Sequence, residues 1–185
     1  VIFSRNEVKA ESYLYLNDLE FYIEVNSDAS INVTEYWNIR IEETNTLYKS
    51  FKTDNGKYTG ITDVEVTDIT DGINKKFSKQ NNWEYHVDSG KYYGTENESG
   101  DFEIGWGVGL DNSDDTRKYK IEYKVENAIA KYNDYAQLYW QLIGEDFEIN
   151  AEKVTGTIVL PKDANSKEDI KVWGHIEDLN GTIYA

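Results

Sequence analysis

The most constraining feature of this chain is a period of two that runs through most of it. Leu19, Phe21, Ile23 and Val25 alternate with Glu20, Tyr22 and Glu24. Ile31, Val33, Trp37, Ile39 and Ile41 share one parity, against Asn32, Thr34, Asn38, Arg40 and Glu42. Successive side chains of a strand point to opposite faces, so such alternation predicts strands with one buried and one wet face. The polar cluster at 26–30 between these two runs predicts a hairpin. A second pair alternates in the same way: Phe102, Ile104, Trp106 and Val108, then Tyr119, Ile121, Tyr123 and Val125 against Lys118, Lys120, Glu122 and Lys124. The turn-like residues between them predict a second hairpin. Val154, Gly156, Ile158 and Leu160 predict a further strand, closed by Pro161.

Turn signals at Asn55 and Gly56, Asp71 and Gly72, Ser89 and Gly90, Ser99 and Gly100, and Asn180 and Gly181 separate short segments. That spacing suits many strands rather than βαβ units. Helical periodicity is missing; the stretch 126–142 reads as a loop leading into a strand around 138–142. The expected fold is all-β, an antiparallel, immunoglobulin-like β-sandwich with solvated outer faces. A closed barrel is the alternative. The 185 residues suit one β-sandwich domain over 1–185, since a chain this long buries roughly 70% of its unfolded surface. Residues 1–18 read as an N-terminal extension or first edge strand, and the polar stretch 80–100 as a mobile insertion.

Composition excludes several functions. The 35 acids against 19 Lys and Arg give a net charge of −16, which repels phosphate backbones, so no nucleic-acid partner is expected. With no Cys there is no disulfide framework and no thiolate chemistry. No apolar run approaches the roughly 18 residues of a membrane helix, so membrane attachment requires segments outside this chain.

Candidate site residues stand out for different reasons. Glu35 shares the parity of the buried Val33 and Trp37, and a carboxylate on a buried face needs a cation or hydrogen-bond donors. It is read as a tuned group or as a structural ion pair. Asp111, Asp114 and Asp115, with Asn112 and Ser113, concentrate the oxygen ligands that calcium prefers, although turns favour the same residues; calcium is the only cofactor the pattern suggests. The two histidines, His86 and His175, lack companions at ligand spacing. Trp83, Tyr92 and Tyr93 fall in the polar stretch, where exposed aromatic rings can stack on sugars or anchor a protein.

The run from Ile23 through Asp28 and Ala29 to Val33, Thr34 and Glu35 resembles the opening of the N-terminal domain of YciQ-like predicted bacterial membrane proteins, a family whose function is uncharacterised. The run from Tyr132, Asn133, Asp134 and Tyr135 through Leu138, Tyr139 and Trp140 to Leu142, Ile143 and Gly144 resembles its most recognisable segment, and Val154 to Pro161 and Trp173, Gly174 and His175 its later strands. The chain departs at the first turn, with Ala29 in place of Gly, and around Tyr48, Lys49, Ser50 and Phe51, which lack the family's Gly and Arg. The resemblance implies an extracytoplasmic domain, preceded by a signal peptide and followed by membrane helices. The expected role is a non-enzymatic interaction or sensing domain of a membrane-anchored protein, with an unknown protein or a cell-surface glycan as partner. A carbohydrate-binding module is the alternative, and a carboxylate-based hydrolase, needing two carboxylates about 5 to 10 Å apart, is the second.

Overall fold

A computed structural model describes residues 14–52, 56–110, 114–140, 151–162 and 166–172 of the chain. The strands are β1 (Leu14–Val25), β2 (Ile31–Glu42), β3 (Thr46–Phe51), β4 (Gly60–Asp68), β5 (Lys75–Lys76) and β6 (Ser78–Lys79). They continue with β7 (Lys91–Glu96), β8 (Phe102–Gly107), β9 (Asp114–Glu126), β10 (Ile129–Lys131), β11 (Ala136–Leu138) and β12 (Ala151–Val159). The only helical pieces among the described residues are single 3-10 turns at Thr70–Gly72 and Lys167–Asp169. The fold is all-β.

Six strands form one sheet in the order β12-β1-β2-β9-β4-β5, and four form another, β3-β8-β7-β6. Neither closes into a barrel. β10 and β11 make a small separate hairpin. The first expected hairpin is present: β1 and β2 pair antiparallel from Val25↔Ile31 back to Leu14↔Ile41. In the turn, the Asp28 carboxylate accepts from the Ser30 N–H at 3.0 Å and its hydroxyl at 2.6 Å. Ala29 takes φ 72°, the conformation for which glycine is the usual choice. A register shift between Leu16 and Asp18 lets both Leu16 and Leu19 turn inward. Residues 14–18 thus belong to β1, which is internal rather than an edge; residues 1–13 lie outside the described residues.

The second expected hairpin does not form. β8 pairs with β3 and β7 in the small sheet, whereas β9 pairs with β2 and β4 in the large one. Alternation tells which face of a strand is buried but not which strand lies beside it. Both strands have their apolar side in the same core, so either pairing satisfies the pattern.

The sheets are also mixed rather than purely antiparallel. β12 runs parallel to β1, and β6 parallel to β7. Parallel neighbours need a crossover of about a dozen residues, and 80–90 supplies it between β6 and β7. The stretch read as an insertion therefore contains a crossover and an internal strand of the small sheet. The crossover lies on that sheet's outer face: a Cβ on Gly107 would come within 2.0 Å of the Asp88 carbonyl oxygen.

The two sheets share one core. Trp37 of β2 meets Trp106 of β8 edge to face at 5.3 Å, and Trp106 meets Tyr119 of β9 at 5.8 Å. Leu16, Phe21, Ile39, Leu47 and Ile104 fill the space around them.

Candidate functional site

Glu35 lies where its parity places it, on the inner face of β2 with no solvent exposure. Its carboxylate is fully engaged. Oε2 accepts from the indole N–H of Trp37 at 2.9 Å, and Oε1 accepts from the Tyr123 hydroxyl at 2.5 Å and from the Lys49 ammonium. Tyr123 comes from β9, beside β2 in the same sheet, while Lys49 reaches across from β3 in the other. The pair is therefore a staple between the two sheets.

The surroundings are apolar. The Lys49 Nζ sits 5.4 Å from the ring centre of Phe21, 5.2 Å from that of Phe51 and 5.9 Å from that of Tyr123. Cations over aromatic faces gain some attraction from the ring quadrupole. Phe51 and Tyr123 also pack on Trp140, with ring centres 6.0 and 6.2 Å away. Burial pushes the Tyr123 hydroxyl well above its usual range, and the negative charge of Glu35 raises it further. Tyr123 thus donates to Glu35 as a neutral phenol. With its carboxylate enclosed and saturated, Glu35 has no route to a substrate in this conformation.

A second buried carboxylate escaped sequence reasoning. Glu103 of β8 is 1% exposed, yet it points away from the shared core, on the side opposite Ile104 and Trp106. Four donors surround it: the Ser50 hydroxyl at 2.9 Å, the Tyr93 hydroxyl at 2.5 Å, the Trp83 indole N–H at 3.0 Å and the Asn97 amide at 3.0 Å. The crossover 80–90 encloses this cluster. Val87 donates its N–H to Thr46 Oγ1 at 2.9 Å, pinning the crossover to β3. The available signal was the series Glu103, Gly105, Gly107: glycines alternating along a strand mark close approach of another segment. A Cβ on Gly105 would lie 2.3 Å from the Tyr93 ring.

The aromatic platform expected of Trp83, Tyr92 and Tyr93 is absent. Tyr92 faces the shared core and gives its hydroxyl to the Val64 carbonyl at 2.6 Å. Tyr93, its neighbour, points to the other face and is wholly covered. Trp83 is half-buried against Glu103. Adjacent strand positions cannot share a face, so Tyr92 and Tyr93 could not have formed one platform.

The acidic turn is only partly described, because Asp111 lies outside the described residues. Asp114 and Asp115 open β9 on alternate faces; Asp115 binds the Arg117 guanidinium at 2.7 Å and accepts from the Thr116 N–H at 2.8 Å. Among the described residues no three His, Cys, Asp or Glu side chains come together as a metal-holding group. His86 packs its ring against Tyr85 at 4.7 Å, and His175 lies outside the described residues.

Tyr85, on the crossover, is exposed; the other exposed aromatics among the described residues lie elsewhere. Tyr15, Tyr22 and Tyr36 stand on the solvent face of the six-stranded sheet. Tyr132 and Tyr135, at the tip between β10 and β11, stack on each other at 4.5 Å, and Tyr139 lies under the Lys57 ammonium.

The family model described as predicted membrane protein (DUF2207) N-terminal domain matches residues 15–184. The chain belongs to this family. The match takes in every strand described above, from the second residue of β1 onward. No curated protein matches the chain. Among the described residues of this DUF2207 domain, no helix is long and apolar enough to cross a membrane. Glu35, on which the resemblance in the first turn converges, is the carboxylate of the inter-sheet ion pair.

Proposed function

We propose that this DUF2207 domain is a non-enzymatic interaction or sensing module, placed outside the cytoplasm and held to the membrane by segments beyond this chain. The observation that carries this reading is the fate of its polar and aromatic groups. The two fully buried carboxylates among the described residues, Glu35 and Glu103, are consumed by donors inside the fold, where they hold sheets and crossover together. Of the exposed tyrosines among the described residues, in contrast, Tyr15, Tyr22 and Tyr36 share one sheet face and Tyr132 and Tyr135 one hairpin tip, while Tyr85 lies on the crossover and Tyr139 just past β11. Tyr at a surface supplies contact area at low entropic cost, which favours recognition. The family's description as part of a membrane protein supports the membrane attachment.

We read the architecture as an immunoglobulin-like sandwich. The edge-to-face contact of Trp37 with Trp106 across the two sheets and the inter-sheet ion pair support that reading. Topology reporters test the placement. With the full-length protein cut after this domain, an alkaline phosphatase fusion is expected to be active and a green fluorescent protein fusion dark. The reverse pattern would put the domain in the cytoplasm and overturn the proposal.

A further inference from the structure

The solvent face of the six-stranded sheet carries a charge pattern ordered across its strands. Register places its outward side chains in rows across β1, β2 and β9. They run Asp18–Asn38–Lys118, Glu20–Tyr36–Lys120, Tyr22–Thr34–Glu122 and Glu24–Asn32–Lys124. In three of four rows an acid on β1 stands level with a lysine on β9, and β2 between them is uncharged. Strands lie about 4.8 Å apart, so the backbones of each acid and its lysine are roughly 9–10 Å apart, and Lys120 and Lys124 turn to acids of their own strand instead.

We propose that this face is the interface of a two-fold homodimer whose axis runs along β2. A two-fold axis in the plane of an interface exchanges its left and right sides. Applied along β2, it lays β1 of one copy over β9 of the other. Asp18 then faces the second copy's Lys118, Glu20 its Lys120 and Glu24 its Lys124. Tyr22 faces its Glu122, and the two Tyr36 rings meet on the axis. Sheets that pack face to face keep their strands nearly aligned, as this arrangement requires.

Charge and size both fit. The twelve positions carry four acids and three lysines, a net of −1, whereas the chain carries −16. This is a face on which two copies can meet without strong repulsion. The five strands from β12 to β4 span about 24 Å, and a 12-residue strand such as β2 about 40 Å. That extent matches the roughly 800 Å² per partner of a standard stable interface. Lys120 now bridges Glu122 at 2.8 Å, and Lys124 bridges Glu126 at 3.0 Å. Lys124 also lies 3.7 Å from Asp28; these pairs are half-buried at the sheet surface, where ion pairs contribute modestly and can exchange for new partners.

The homodimer deepens the interaction role proposed above and rests on it; self-association and topology are read by separate experiments, so either can fail alone. The test is sedimentation velocity on the 185-residue chain at on the order of 100 µM and low salt, where surface charge acts most strongly. The wild type is expected at twice the mass of one chain. D18K/E20K and K118E/K120E, checked for unchanged circular dichroism, are each expected to weaken the dimer at least tenfold. An equimolar mixture of the two variants restores it, because every reversed charge then meets its opposite. A wild type that stays monomeric overturns the proposal, as does a dimer indifferent to the reversals or a mixture that fails to reassociate.

Discussion

Replacing Lys49 with methionine separates the cost of a lost partner from the worth of an ion pair. Methionine keeps much of the length and apolar character of the lysine stem, which is buried among Phe21, Phe51 and Tyr123. The variant removes the one cation from the pair and leaves a carboxylate that is 0% exposed. Trp37 and Tyr123 still donate to it, but two neutral donors do not offset the desolvation of a full charge. Breaking a buried pair from one side typically costs about 3–5 kcal/mol. In a chain of this length each kcal/mol moves the melting temperature by about 2–4 °C, so the expected loss is roughly 6–20 °C. Removing both charges tells the rest. Because the pair repays its desolvation only partly, E35L/K49M is expected to be clearly more stable than the sum of the single losses, although the Trp37 N–H and the Tyr123 hydroxyl lose their shared acceptor at about 1–3 kcal/mol each. Guanidinium denaturation of wild type, E35L, K49M and the double variant closes a thermodynamic cycle. A K49M loss below about 1 kcal/mol, or a double variant as unstable as the sum of the singles, would refute the reading of Glu35 and Lys49 as a mutually dependent inter-sheet staple.

Gly107→Ala places a methyl group against the backbone of Asp88, where a rigid carbonyl cannot swing away. It is expected to cost at least about 1–3 kcal/mol and to lift the crossover, read as faster amide exchange at Val87. Alkaline pH should unfold the protein. Burial raises Tyr119 and Tyr123 above the usual value of 10, so the native state holds protons that the unfolded chain releases. Their contribution is complete below pH 10 and falls above it by about 1.4 kcal/mol per group per pH unit. Absorbance at 295 nm is expected to show Tyr119 and Tyr123 ionising only as the structure is lost; their ionisation before unfolding would contradict their burial.

How much of the site was legible can be followed through its residues. The parity of Glu35 alone showed that an acid faced the core and needed a partner, because side-chain direction in a strand is a local property. Lys49 was not legible as that partner. It lies 14 residues away, in a strand whose neighbours are β8 in its own sheet and, across the core, β2. Glu103 was missed because its parity marks it as outward, and outward positions of an antiparallel sheet usually meet water. Only the path of the crossover over Gly105 and Gly107 turns that face into a second interior. Tyr92 and Tyr93 were misplaced for the same reason: a polar neighbourhood in sequence says nothing of what folds over it.

The sequence by itself determined the class of structure and the two faces of β1, β2 and β9, together with the first hairpin. Alternation and short turns act over a few residues and leave no choice of face. The tertiary structure decided which strands became neighbours: β8 and β9 in different sheets, β12 parallel to β1, and Lys49 opposite Glu35. These are contacts between distant segments, chosen by how the combined apolar faces close over one core. Many pairings satisfy the same local pattern, and the packed core of Trp37, Trp106 and Tyr119, stapled by one buried ion pair, selects among them.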